Sequence, residues 1–481
     1  MLFHSLQFLV FLPVVFALYW SVGPGLERWR SGLRKWLLLT ASAVFYMAWN
    51  PAPFLIVLYC ATADYGLARA MGRSRNPRTR RILVTASVVS NLGILAFFKY
   101  TNFLYETAVI VSGWVGIEIV YHRLDILLPI GLSFVVFQTL SYTIDVYRGD
   151  CEPRSSWVDV ALFISFFPQI IAGPIVRAHH FLPQLDRKPV LPDDVGSTAL
   201  FRIAKGLTKK LLVADLLAAN LIDRVFASPD LYTPVEVWAG VFAYTLQIYY
   251  DFSAYSDVAI GSAALFGFHI PENFNRPYKA RNLPEFWQRW HISLSTWLRD
   301  YLYIPLGGNR GGRWRTLRNV MITMVLGGIW HGASWRMALW GGVHGVGLCL
   351  TRLYWWRTSP PARPSWWRTA VGWVVTFLSV MLARIFFRAE SMRRAYEVFE
   401  GMAIDWADPF LWVAPNLTPR VLVVMGLATA IHFGPSDLFQ RVNRYFIRLP
   451  VLARAGALTA ITLIIEKVAD FEVQTYIYFQ F

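Results

Sequence analysis

Apolar stretches long enough to cross a bilayer recur through the chain, at about 2–20, 36–70, 82–99, 126–147, 158–176, 235–265, 319–351, 370–388, 420–434 and 450–466. In lipid such a stretch satisfies its own backbone polar groups only as a helix, so the pattern predicts an all-α polytopic membrane protein. Composition agrees: 56% of the 481 residues are hydrophobic and 16% are charged, against about 25% charged in a soluble domain. No water-soluble core could hide that much apolar surface. The net charge of +16 sits in short loops between apolar runs, which suits membrane lipids and the positive-inside bias and gives no case for nucleic acid. Cys60, Cys151 and Cys349 are too scattered for a disulfide framework or a metal site.

Several runs exceed one helix. Asn50-Pro51-Ala52-Pro53 should break 36–70 into a helical hairpin, and 319–351 should be two helices meeting near Gly341-Gly342. About 10–13 helical elements are expected, some of them re-entrant. The N-terminal segment, Met1 to Trp20, lacks a basic leader and a small-residue cleavage site, so it reads as a retained membrane helix. Five arginines between Arg73 and Arg81, the cluster Arg28, Arg30, Arg34 and Lys35, and the basic stretch 202–210 all mark cytoplasmic loops. With no internal repeat, 1–481 reads as one membrane domain.

The stretch 266–318 is too polar to span and is loaded with aromatics. Asn282 can cap a helix opening on Pro284 and Glu285, and Trp287, Trp290, His291, Leu294, Trp297, Leu298 and Tyr301 then form one apolar stripe. The expectation is an amphipathic or re-entrant helix on the cytoplasmic side.

Within the apolar run 319–351, His331 lies in Gly327-Gly328-Ile329-Trp330-His331-Gly332. An ionisable ring at membrane depth is costly, which makes it a functional candidate. Three readings stay open: a buried neutral imidazole bonded to a carbonyl, a general base for a hydroxyl, and a metal ligand. The last is weak, since His269, His291, His331 and His344 lack ligand spacing. His291 is either a packed interfacial ring or a partner of His331. Gln247, Asp251 and Tyr255 share a helix face near Ser253, as a structural network or an acceptor site. The prolines and glycine of Phe166-Phe167-Pro168-Gln169 and Ala172-Gly173-Pro174-Ile175 suggest a re-entrant wall or a kink, and Arg177, His179 and His180 a solvated end.

As a set, PIGLSFVVFQTLSYTIDVYRG (129–149), FFPQIIAGPIVR (166–177), YYDFSAYSDVAIG (249–261), FNRPYKARNLPEFWQRWHISLSTWLRDYLYIPLGGNR (274–310) and LGGIWHGASWRMALWGGVHG (326–345) resemble the membrane-bound O-acyltransferase superfamily, in its bacterial polysaccharide branch; the C-terminal aromatic tail ends in the family's manner. The resemblance implies a helical ring around a central funnel, with re-entrant and interfacial helices. It implies that His331 is catalytic and His291 a second functional histidine. It further implies transfer of an acetyl group from a cytoplasmic thioester, acetyl-CoA, across the inner membrane to an exopolysaccharide such as alginate, through a periplasmic partner and alongside a polysaccharide synthesis complex. On that reading Arg281, Arg289 and Arg310 would steer donor phosphates, and Asp251, Ser253, Trp287, Trp290 and Trp330 would complete the substrate site, with no bound cofactor and no metal. The rival within the family is D-alanyl transfer from a phosphopantetheinyl carrier; outside it, a polysaccharide or lipid transporter.

Overall fold

The computed structural model describes residues 1–22, 27–358, 365–403 and 413–468, except the side chains of 27–31. The Arg28 and Arg30 side chains and the aromatic tail from 469 therefore lie outside the described residues. Of the described residues 76% are helical, and none forms a strand. The all-α membrane fold expected from the apolar periodicity is what forms. Two compact units emerge, one from 1–199 with 259–271, the other from 200–258 with 272–481.

In the first unit, numbering only helices of seven residues or more, the order is α1 (Leu6–Ser21), α2 (Glu27–Met47), α3 (Phe54–Arg73), α4 (Pro77–Leu95), α5 (Thr101–Trp114), α6 (Leu132–Arg148) and α7 (Trp157–Ser165). The Asn50–Pro53 break makes the expected hairpin of α2 and α3, with the Asn50 side chain accepting from the Ala52 N–H at 3.1 Å. Asn76 caps α4 by accepting from the Arg78 N–H at 2.9 Å, with Pro77 in the first turn where its missing donor costs nothing. Polar side chains bridge α3, α4 and α6. Asp64 accepts from Ser87 (2.5 Å) and Asn91 (2.7 Å), and Thr139 donates to Asn91 (2.8 Å). These buried polar groups are tolerated because each finds a partner.

After α7 the backbone from Phe166 to Val176 is irregular yet buried. Protein satisfies it: the Ser42 hydroxyl accepts from the Phe167 N–H at 3.0 Å, and Gln169 donates to the Phe163 carbonyl at 2.7 Å. Gly131 (φ 74°) lets the chain approach, since a Cβ there would lie 2.5 Å from the Ile170 oxygen. The segment is irregular backbone and not a helix kinked at proline. His179, expected in a solvated end, pairs with Asp145 at 3.2 Å and is half-exposed.

The amphipathic helix α8 (Asp193–Lys209) leads into the second unit, which holds residues 234–258 of the 32-residue helix α9 (Pro234–Leu265). Then come α10 (Leu283–Arg289), α11 (Ile292–Leu298), α12 (Arg313–His331), α13 (Trp335–Thr358), α14 (Trp366–Arg388), α15 (Met392–Met402), α16 (Pro419–Phe433), α17 (Leu438–Phe446) and α18 (Val451–Val468). Three stretches are long and apolar enough to cross a membrane: α3, the continuous run Pro77–Trp114, and α14. The pair α16 and α17, bent by 92°, would make a fourth.

Two expectations need correction. The stripe from Trp287 to Tyr301 is not one helix: α10 ends at Arg289, and His291 adopts φ 43°, a left-handed conformation that restarts the chain as α11. The cause is Asn273, whose backbone oxygen accepts from the Ile292 N–H (2.9 Å) while its side chain accepts from the Ser293 N–H (3.2 Å). The helices of 319–351 do not meet at Gly341-Gly342 but at 332–334, directly after His331. Gly341 lies inside α13 at the crossing, where a Cβ would come 2.2 Å from the Met324 oxygen; Gly328 on α12 is equally tight against the Met337 oxygen, at 2.2 Å. Two backbones in contact require glycine at both points.

Candidate active site

The close crossing of α12 and α13 puts His331 at the last position of α12, 6% exposed, where Gly332 leaves the helix in an extended conformation. Its ring meets Trp340 edge-on at 5.2 Å and Phe387 at 5.4 Å, with Trp330 at 5.0 Å. A narrow cavity opens here, roomy enough for about one water. Ile248, Phe286, Trp290, His331, Trp340, His344, Val380, Arg384 and Phe387 line it.

His291 is fully buried, its ring centroid 6.4 Å from that of His331 and packed on Phe252 at 4.7 Å. Its Nδ1 lies 3.1 Å from Asn273 Oδ1, which also accepts from the Ser293 N–H (3.2 Å) and hydroxyl (2.9 Å). A backbone N–H can only donate, so the atom facing it is the amide oxygen. In the neutral ring Nδ1 must then carry the proton, leaving Nε2 as the basic nitrogen. The Asn273 amide nitrogen in turn donates to Ser256 on α9 at 3.3 Å.

The other candidates scatter. Trp290 lines the cavity, and Trp287 packs against Trp340 (5.9 Å) and His344 (5.2 Å) beside it. Trp330 packs beside both histidines, its ring 5.0 Å from that of His331 and 6.4 Å from that of His291. Asp251 instead accepts from buried Lys210 at 2.7 Å, which also holds Asp215 at 2.8 Å. Ser253 accepts from Lys209 at 3.2 Å, and Lys209, Lys205 and Arg202 converge on Asp257 (2.7, 3.0 and 3.0 Å). Glu285 clamps Arg281 (3.2 Å) and Arg289 (2.9 Å). Burial alone would raise the Glu285 carboxyl, but the Arg281 N–H and the two guanidinium groups hold it below the usual range. Arg310 is exposed.

Sequence reasoning passed over Asn273 and Arg384, and weighed His344 only as a metal ligand. A cation within the apolar run 370–388 was the available signal for Arg384. Nothing local marks Asn273, whose role depends on meeting residues 18 to 20 positions away.

Comparison with known proteins agrees with this architecture. The model of the membrane-bound O-acyltransferase family matches residues 152–392. The chain is 41% identical over 438 residues to the probable alginate O-acetylase of Azotobacter vinelandii, covering 90% of this chain and 83% of that one. It is 34% identical over 397 residues to the peptidoglycan O-acetyltransferase of Helicobacter pylori (77% and 73% covered). With the teichoic acid D-alanyltransferase of Streptococcus thermophilus it shares 28% over 282 residues (54% and 68% covered). The chain belongs to the membrane-bound O-acyltransferase family. It is a membrane protein and an acyltransferase.

Proposed function

We propose that this enzyme moves an acetyl group from a cytoplasmic thioester, acetyl-CoA, across the inner membrane for O-acetylation of an exopolysaccharide such as alginate, handing it to a periplasmic partner. The observation that carries the reading is the aromatic cavity at the end of α12, with His331 in its wall and His291 6.4 Å away.

In this reading the acceptor hydroxyl attacks the thioester carbonyl carbon while His331 takes the hydroxyl proton. Such proton transfer is worth about 10²- to 10⁴-fold in rate. Collapse of the tetrahedral adduct breaks the C–S bond, and the thiolate leaves protonated. His291, with its basic nitrogen fixed by Asn273, orients the acceptor or shares the proton. The surrounding rings exclude water that would hydrolyse the thioester.

The balance between acetyl and D-alanyl transfer rests on similarity: the O-acetylases match more closely and over more of the chain than the D-alanyltransferases. Inverted membrane vesicles given labelled acetyl-CoA outside, with the secreted partner in the lumen, provide the test. Wild-type protein should deliver label to the lumen, and equally abundant His331→Ala should not. Equal transfer by both would exclude His331 as the base; transfer only from an acylated carrier protein would favour the D-alanyl reading.

A further inference from the structure

The membrane helix α14 carries a buried cation into the cavity of His331. Arg384 is 3% exposed and lines that cavity. Its guanidinium lies over the Trp290 ring at 4.5 Å and the Tyr278 ring at 5.0 Å, which fixes the plane of the fork. One nitrogen, Nη1, makes both of its hydrogen bonds, to the Thr245 carbonyl at 2.9 Å and to the Tyr278 hydroxyl. Tyr278 itself donates to the same Thr245 oxygen at 2.5 Å, so the Nη1 corner is locked to α9.

The other side of the fork is different. Among the described residues Nε and Nη2 have no hydrogen-bond partner, and no carboxylate pairs with Arg384. Two donors of a buried cation are thus left without a protein partner beside the cavity, a costly arrangement unless something there accepts from them. A guanidinium with one edge anchored and the other edge idle, in the same small cavity as a candidate base, is arranged to receive an anion. The anion an acyl transfer creates is the oxygen of the tetrahedral adduct.

We propose that Arg384 is a catalytic residue that binds the carbonyl oxygen of the acyl donor as it becomes an oxyanion; this rests on the acyl-transfer reading of His331. The acceptor oxygen forms a bond to the carbonyl carbon and its proton passes to His331. The carbonyl π electrons move onto the oxygen, which receives the N–H bonds of Nε and Nη2. When the C=O bond re-forms, the C–S bond breaks and the thiolate recovers the proton from His331. Because charge builds on that oxygen only in the transition state, Arg384 acts on kcat and leaves donor KM nearly unchanged.

The experiment compares wild type, His331→Ala, Arg384→Ala and Arg384→Lys in the vesicle assay with labelled acetyl-CoA, with membrane abundance and melting temperature measured in parallel. Arg384→Ala should lower kcat by about 10²- to 10³-fold at near-constant donor KM, and added guanidinium ion should restore part of the loss, which no purely packing role would allow. A kcat within threefold of wild type, or a fall with no guanidinium rescue, would overturn the proposal. If Arg384→Ala fails to accumulate, Arg384→Lys decides: it keeps the charge but loses the fork, so kcat should drop about tenfold or more in a stable protein, and wild-type kcat would refute the assignment. Activity surviving in His331→Ala would instead sink the reading of His331 as the base.

Discussion

The rings of His291 and His331 lie 6.4 Å apart, centroid to centroid, although 40 positions separate them in sequence and only His331 belongs to a helix. His331 arrives at the end of α12, and His291 arrives at a left-handed residue between α10 and α11. Their approach depends on Asn273, which bonds the His291 ring and both residues that follow it.

Replacing Asn273 by Leu should therefore harm activity more than stability. The buried Ser293 N–H loses its acceptor, at about 1–3 kcal/mol. His291 also loses the bond that fixes its tautomer, for which a fall of about 10²-fold in kcat is expected. Turnover in vesicles alongside melting in detergent separates the two effects; unchanged turnover would mean that the His291 tautomer is irrelevant.

Asp251 is held by Lys210, so its substitution should read out as stability. Lys210→Met leaves Asp215 and Asp251 without their shared cation, and a loss of about 3–5 kcal/mol is expected for breaking such a buried cluster from one side. Asp251→Asn should lower the melting temperature. A raised acceptor KM with normal melting would return Asp251 to the substrate site.

Lys205 is surplus in its cluster, since Arg202 and Lys209 already neutralise Asp257. Burial, opposed by Asp257, pushes its ammonium down from 10.5 to about 8. The unfolded chain thus binds more protons than the folded one between about pH 8 and 10.5, and stability from this group rises as pH rises through that window. Lys205→Gln should melt above wild type at pH 7 and show a smaller gap at pH 9.5, where the wild-type ammonium has largely lost its proton, as melting curves at the two pH values would reveal.

Gly341→Val should separate α12 from α13. Even the first carbon of the new side chain would sit 2.2 Å from the Met324 oxygen, so a backbone must move. Overpacking of this kind costs about 1–3 kcal/mol or more, and the shift would carry His331 out of its cavity. Normal turnover in this variant would show that the tight crossing is dispensable.

Helix content and the hairpin break at Asn50–Pro53 were legible from apolar periodicity and turn residues, because these features are local. His331 stood out because a titratable ring among glycines at membrane depth has few structural excuses. The same kind of local reasoning failed for 287–301, where the apolar spacing favours a continuous helix. What breaks it is a contact with Asn273, remote in sequence and invisible to periodicity. It failed again for Gly341, read as a break when the residue serves a crossing.

By itself, then, the amino-acid sequence determined that this chain is a helical membrane protein and singled out His331, since hydrophobic run length and the cost of a buried imidazole are properties of short segments. Only the tertiary structure decided that His291 joins His331, that Asp251 belongs to Lys210, and that Arg384 enters the cavity with unused donors. Those pairings arise from packing between distant helices, where a partner's identity is fixed by geometry and not by spacing along the chain.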